Sequence, residues 1–475
     1  MPPTATSTTY PAWFTTRQQA AWDRYLAIPT PKRGDEAWRF SNIKQLDFTG
    51  FSRSVGVPST TVDSGDAGAR QEEAAGRMPA PRGPGILPGA SVETTKSAKS
   101  TVLGVPPPLD LLARSNGLEA SAAKFVFVNE TLIHAQSSLP AGVVCLPLAE
   151  ALLTHSALVE AHFMQQETRL GSAKFAALHE ASLTNGMFIH VPDNVEVADP
   201  IEIHHWLAGA DTAIFPHTLV VTGRHAKVRV VEIFRSADDV QPGLAIAFND
   251  LAAGPGSKLD YVAIQAFNEL SRVIQINETA AARDASTTGF ILNTGAAWAR
   301  NESLSRLEGP GSRSDMLAVS IASGAQEYDQ RTFQHHVSPG AYSDLLYKNS
   351  LYDFATTIFS GLIFVDEGAH HTDAYQTCRN LLMSDTCEAN SMPGLEINAD
   401  QVKCSHGSTS SQISEEEIFY LRARGIGPAA ARQLIARGFS VEVVARLGNE
   451  ALESLVIGFI DAKFATIANS GKHCS

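Results

Sequence analysis

Cysteine is scarce, and what there is does not pair. The chain has five, an odd number, at positions 145, 378, 387, 404 and 474. That excludes a disulfide framework and suits a reducing compartment. None of the close Cys-x-x-Cys spacing of zinc ribbons or ferredoxin-type clusters is present. No apolar run approaches the ~20 residues of a membrane span. The first ten residues are polar and lack the basic-then-apolar pattern of a secretory signal. Positive charge is also in deficit: 37 Lys and Arg stand against 50 Asp and Glu, a formal net charge of −13. Non-specific nucleic-acid binding is therefore not expected. Gly-x-Ser-x-Gly, His-Glu-x-x-His and P-loop signatures are missing as well. These absences point to a cytoplasmic protein that neither enters a membrane nor binds ATP. A hydrophobic content of 44% over 475 residues supplies enough core for two or three structural regions.

Residues 1–180 read as a mainly helical region. Ala21, Trp22, Tyr25 and Leu26 share one helical face, and Pro29 and Pro31 end that helix. Asp35–Ser41 follows as a turn with two aromatics, Trp38 and Phe40. Residues 51–110 are crowded with Pro, Gly, Ser, Ala and Thr; such a composition cannot offset its ordering entropy and reads as a partly disordered insertion. Order returns with a strand at Lys124–Asn129. Helical patterns follow over Leu146–Phe163 and Ala173–Ala181.

From Met187 to Asn380 short strand-like runs recur with turn residues between them. Gly254-Pro255-Gly256-Ser257-Lys258-Leu259-Asp260 echoes Gly309-Pro310-Gly311-Ser312-Arg313-Ser314-Asp315. A turn that recurs before a strand suggests stacked coils, a β-helix or other solenoid; strand spacing alone also permits a sandwich or barrel. The core is expected over 181–413. His204-His205, His335-His336 and His370-His371 are adjacent pairs. On a strand each pair offers at most one inward imidazole, and hydrogen-bonded structural roles suit most of them.

Gln376–Gly425 is the stretch where strand gives way to helix. Leu395–Ile397 and Gln401–His406 read as short strands around the turn-prone Asn398-Ala399-Asp400. Cys404 and His406 then share a face. They are two ligands where a closed metal site needs about four, so a metal here would borrow the rest from another segment or chain. The alternative is a small core cysteine beside a hydrogen-bonded histidine. A C-terminal helical region covers 414–475. Ser414 and Glu417 form a capping box, with Glu415 and Glu416 at the positive end of the helix dipole. Gly425 is the stop. A second helix is expected from Pro428 to Gly438, then an apolar stripe of Val443, Val444, Leu447, Leu452, Leu455, Val456, Phe459 and Ile460.

Gln376–Ser384, Pro393–Ile397, Val402-Lys403-Cys404-Ser405-His406-Gly407 and Phe419–Ile426 closely resemble the C-terminal signature of the SufB/SufD family of the SUF iron–sulfur cluster assembly system, in its SufD form. The Glu36-Ala37-Trp38-Arg39-Phe40-Ser41 element resembles the family's N-terminal entry. Asp329, His335-His336 and Tyr347-Lys348 resemble its core run. Cys378 stands where that run more often has Asn.

The resemblance implies a right-handed parallel β-helix core between N- and C-terminal helical regions. It also implies a non-enzymatic scaffold that pairs with a SufB-like subunit and binds a SufC-like ATPase, with no tightly bound cofactor. Transient iron or a nascent cluster would sit at the partner interface, where His406 is the first candidate and Cys404 its neighbour. Glu415, Phe419, Tyr420 and Arg424 are candidate contacts for the ATPase. A homodimeric scaffold acting with SufC alone, and a β-helix carbohydrate-active enzyme, are the rival readings. Cys378, Cys387 and Cys474 are expected to be structural or incidental.

Overall fold

A computed structural model describes residues 10–53 and 108–469. Most of the expected insertion over 51–110 lies outside the described residues, as does Cys474. The N-terminal part contributes α1 (Ala12–Ala27), β1 (Ser52–Arg53), α2 (Pro108–Arg114), β2 (Ala123–Val128), β3 (Thr131–Ser137), β4 (Val144–Pro147), α3 (Leu148–Thr154), α4 (Ser156–His162) and α5 (Ala173–Ser182). The expected helices and the strand after Lys124 are all present.

A parallel β-solenoid of about eight turns follows. Its strands are β5 (Met187–Val191), β6 (Ile201–Leu207), β7 (Thr212–Ile214), β8 (His217–Thr222), β9 (Lys227–Ser236), β10 (Gly243–Ala253), β11 (Lys258–Ala266) and β12 (Arg272–Ala281). Then come β13 (Ser286–Asn293), β14 (Trp298–Leu307), β15 (Arg313–Ala322), β16 (Glu327–His336) and β17 (Tyr342–Leu351). β18 (Thr356–Val365), β19 (Asp373–Leu382), β20 (Glu388–Ile397) and β21 (Lys403–Gln412) complete it. From β8 onward, strands alternate between two sheets. One runs β20-β18-β16-β14-β12-β10-β8-β5-β4, with β7 beside β10 and β1 beside β7; the other runs β21-β19-β17-β15-β13-β11-β9-β6-β2-β3. The register is unbroken over the main strands: Arg272 stacks on Trp298, Glu327, Thr356 and Glu388 in turn.

The sequence echo is a column of stacked turns. His225, Gly256, Asp284, Gly311 and Gly340 all hold positive φ. Each donates its backbone N–H to the next turn's carbonyl, as His225 does to Pro255 and Gly256 to Arg283. Glycine meets the left-handed requirement without a Cβ penalty. Asp284 meets it in the coil between the two echoing segments, which is why the glycine is missing from that coil.

Each sheet is covered on its outer face over most of its length. Trp38, Leu46 and Phe175 pack on Ile246, Phe248, Ile274 and Trp298 of the first sheet. The C-terminal helices α6 (Glu415–Ala423), α7 (Pro428–Val444) and α8 (Glu450–Asn469) lay Ile418, Ala436, Val443, Leu452, Val456, Ile460 and Phe464 on Val231, Ile264, Phe290 and Val319 of the second. α7 passes through Gly438, where the sequence suggested a stop, and ends at Val444. The buried residues Ala436 and Val443 on either side hold the helix continuous despite a glycine cost of about 1 kcal/mol.

The histidine pairs divide. His205 lies inside the solenoid against Glu232 (2.8 Å), while His204 is buried on the outer face with Glu202 (2.6 Å). His370 and His371 sit in an exposed turn, not on a strand. The two short strands expected near Leu395 and Cys404 are ten-residue strands, β20 and β21. Polar residues such as Ser391, Ser408 and Ser410 masked their length. Pro393 is tolerated because β20 is an edge.

Candidate functional site at the open end of the solenoid

β20 hydrogen-bonds only to β18, and β21 only to β19. Among the described residues the last coil therefore leaves an unpaired edge in each sheet. A row of free N–H and C=O groups is a template for another strand.

Alternation sets which side chains face inward there. On β19 the inner residues Ala374, Gln376, Cys378 and Asn380 are buried, while Arg379 between them is exposed. Register places Cys404 beside Ala374, His406 beside Gln376, Ser408 beside Cys378 and Ser410 beside Asn380. The predicted pair thus shares the inner face of the final coil, as the two-residue spacing required. Cys404 is half-buried and packs with Ile363, Val365, Ala369 and Ala374. That burial, and then the Asp373 carboxylate, push its thiol above the ordinary value. The thiol form dominates at neutral pH, so Cys404 must lose a proton before it can ligate a metal. His406 is exposed. Among the described residues no group of three or more His, Cys, Asp or Glu is placed to hold a metal ion. Cys378 is fully buried beside Asn349 and Asn380, and burial pushes its thiol up to about 12. Cys387 is half-buried with its Sγ on Ser384 O at 2.9 Å.

Two residues after β21, Ser414 closes the predicted capping box with Glu417 and starts α6. Gly425, at φ 82°, ends that helix region. Ile418 is buried, but Phe419 is 71% and Tyr420 57% exposed. The Arg424 guanidinium lies 4.8 Å from the Tyr420 ring centre. Glu415, one turn before Phe419, reaches Arg432 at 3.8 Å. These four residues form an exposed aromatic and charged patch next in sequence to the open coil.

The core run does not converge. Asp329 is buried between Arg300 and Arg331 on the first sheet. Arg300 also bonds Glu302 at 2.7 Å and lies 3.7 Å from the Trp38 ring centre, so Asp329 and the N-terminal Trp38 belong to one joint. His335 pairs with Asp366 at 3.0 Å, and burial holds its imidazole below the ordinary value. Lys348, 1% exposed, sits on the second sheet and reaches Glu442 of α7 at 2.6 Å. The first and third residues tie the flanking helical regions to the solenoid. Sequence reading missed these joints because the partners, Arg300 and Glu442, carry no local pattern.

Comparison with known proteins agrees with this architecture. Residues 205–439 match the family described as "SUF system FeS cluster assembly, SufBD core domain", and 118–203 match "SufBD protein N-terminal region". The iron–sulfur cluster assembly protein SufD of Escherichia coli K12 is 31% identical over 60% of this chain and 68% of its own length. The SufD protein of Bacillus subtilis is 27% identical over 68% of this chain and 74% of its own length. The SufB protein of the same organism is 25% identical over 56% of this chain and 57% of its own length. The parallel solenoid, both matched regions and these relatives together establish that the chain belongs to the SufB/SufD family of iron–sulfur cluster assembly proteins.

Proposed function

We propose that this chain is a SufD-type scaffold subunit without enzymatic activity of its own. It pairs with a SufB-like subunit through the free edges of β20 and β21, and carries a SufC-like ATPase on the patch formed by Glu415, Phe419, Tyr420 and Arg424. The observation that carries the reading is the juxtaposition of two unpaired parallel edges with Cys404 and His406 on the inner face between them. A partner that adds strands there brings its own side chains against His406. That supplies the missing ligands for iron or a nascent cluster, which is the cargo of the complex and not a resident cofactor. His406 is the exposed ligand; Cys404 joins only when deprotonated. Large exposed aromatics such as Phe419 and Tyr420 are the residue types that dominate binding surfaces.

The test is co-purification of the tagged full chain from its own cytosol, wild type beside His406→Ala. Recovery of a SufB-like subunit and an ATPase, with iron–sulfur absorbance lost in the variant while the complex survives, supports both pairing and site. Unchanged absorbance removes His406 from the chemistry. A wild-type chain that recovers only a second copy of itself and the ATPase replaces the heteromeric reading with a homodimeric scaffold.

A further inference from the structure

An uninterrupted ladder of side-chain hydrogen bonds runs up the inside of the solenoid. It begins at Glu232, which binds His205, Thr218 and the Tyr261 hydroxyl. Asn249 Nδ2 donates to Tyr261 Oη (2.7 Å) and to Asn277 Oδ1 (2.8 Å). Gln275 joins Asn277 to Asn301, both at 3.4 Å. Asn293 Nδ2 bonds Asn301 Oδ1 at 2.9 Å and Ser320 Oγ at 3.2 Å. Gln330 Nε2 links Ser320 (2.9 Å) to Asn349 (3.1 Å), and Asn349 Nδ2 reaches Asn380 Oδ1 at 2.8 Å. Asn380 Nδ2 then donates to Ser391 Oγ at 3.3 Å and Ser410 Oγ at 3.1 Å.

In the last coils of the ladder Asn349 and Asn380 each hand a donor to the next coil. A hydroxyl can accept and donate at once. The Ser391 hydroxyl lies against the Cys378 sulfur, whereas Ser410 is exposed on the last strand. Ser410 is thus the terminal rung: it accepts from Asn380 and keeps its O–H to give away.

We infer that the subunit closing the open end carries, on the inner face of the strand it adds beside β21, a side chain with a hydrogen-bond acceptor (carboxamide, hydroxyl or carboxylate) level with Ser410. The inference rests on the pairing reading above and specifies the partner's chemistry. Rungs of such a ladder are one strand apart, about 4.8 Å. Only a strand docked on the β21 edge puts an acceptor within reach. Docking also removes Ser410 from water, so an apolar residue opposite it would leave the O–H unpaired, and association would be weaker. The ladder therefore discriminates between solenoid ends that continue it and those that do not.

The experiment titrates the full-length chain against the purified SufB-like subunit of the same genome and reads Kd. Three variants accompany wild type: Ser410→Ala, Ser410→Thr and Ser411→Ala. Ser411 is the adjacent residue on the outer face of β21. Loss of one donor opposite a desolvated acceptor is expected to weaken binding roughly tenfold in Ser410→Ala. Ser410→Thr, which keeps the hydroxyl, and Ser411→Ala should stay within about twofold, the range of a surface change. A Ser410→Ala affinity equal to wild type, or a loss matched by Ser411→Ala, overturns the ladder while leaving the pairing reading in place. Wild type failing to bind the SufB-like subunit overturns the pairing reading and the inference with it.

Discussion

The two ends of the solenoid solve the same problem in opposite ways. At the N-terminal end, β3 pairs antiparallel with β2, and β4 with β5. These strands cap the parallel edges, and a register shift at Val126/Phe127 bends one of them, a common guard against edge pairing. The interior there is mostly apolar, filled by Phe125, Phe127, Ile189, Ile203 and Val230, and its polar cluster of His205, Thr218 and Glu232 is already hydrogen-bonded within the chain. At the C-terminal end no strand caps β20 or β21 among the described residues, and much of the interior is Asn, Ser and Cys. The first end is finished for burial. The second is left with backbone and side-chain hydrogen bonds still to make.

Between the two ends, on β14 and β16, charge is buried. Arg300 at the N-terminal joint is enclosed with Glu302 and Asp329. Arg300→Ala would leave buried Glu302 without its cation and Asp329 with Arg331 alone, and is expected to cost about 3–5 kcal/mol, read as a lower urea midpoint. A loss under about 1 kcal/mol would mean the joint is open to water.

Asn349 is a middle rung of the ladder. Asn349→Leu leaves Gln330 Nε2 and Asn380 Oδ1 without their bonds to it, and each unmet buried group costs about 1–3 kcal/mol. Denaturant titration should show a loss of about 2–3 kcal/mol. An apolar replacement that stabilises the fold would show that the ladder serves specificity at the expense of stability.

Glu278, on β12 midway along the solenoid, makes stability depend on pH. Burial first, then Asp250 and Glu302, raise its carboxyl to about 9. The folded state therefore holds a proton that the unfolded chain releases near the ordinary carboxyl value. This group costs nothing at pH 4, costs progressively more as pH rises to about 9, and is level above that. Glu278→Gln should be more stable than wild type by a margin that widens with pH, at up to about 1.4 kcal/mol per unit. Melting both proteins at pH 5 and pH 8 checks it; a margin independent of pH would show Glu278 ionised in the fold.

The smallest stability effects are expected at the open end. Phe419→Ala and His406→Ala remove exposed side chains and should shift stability by less than about 0.5 kcal/mol. Their effects should appear elsewhere: Phe419→Ala in ATPase binding, by about 2 kcal/mol if it is an anchor, and His406→Ala in cluster content. A large melting shift in either would recast it as a structural residue.

Much of this was legible in the linear sequence, because the signals are local. The Ser414–Glu417 box, the Gly425 stop and the echo of Gly254–Asp260 in Gly309–Asp315 depend on residues a few positions apart. Alternation placed Cys404 and His406 on one face without any tertiary information. Gly438 misled because helix propensity is weak beside the packing of Ala436 and Val443. β20 and β21 were read as shorter than they are because this end coil, rich in Ser and Asn, lacks the apolar alternation that marks a strand.

By itself, then, the sequence determined the element types, the coil repeat, the family and the shared face of Cys404 and His406, all set by backbone geometry within a turn or a strand. Only the tertiary structure decided that Arg300 joins Asp329 beneath Trp38, that Lys348 reaches Glu442, that an amide ladder runs from Tyr261 to Ser410, and that β20 and β21 have free edges. Those features link residues that are neighbours only because one coil is stacked on the next, and that stacking has no counterpart in the order of the chain.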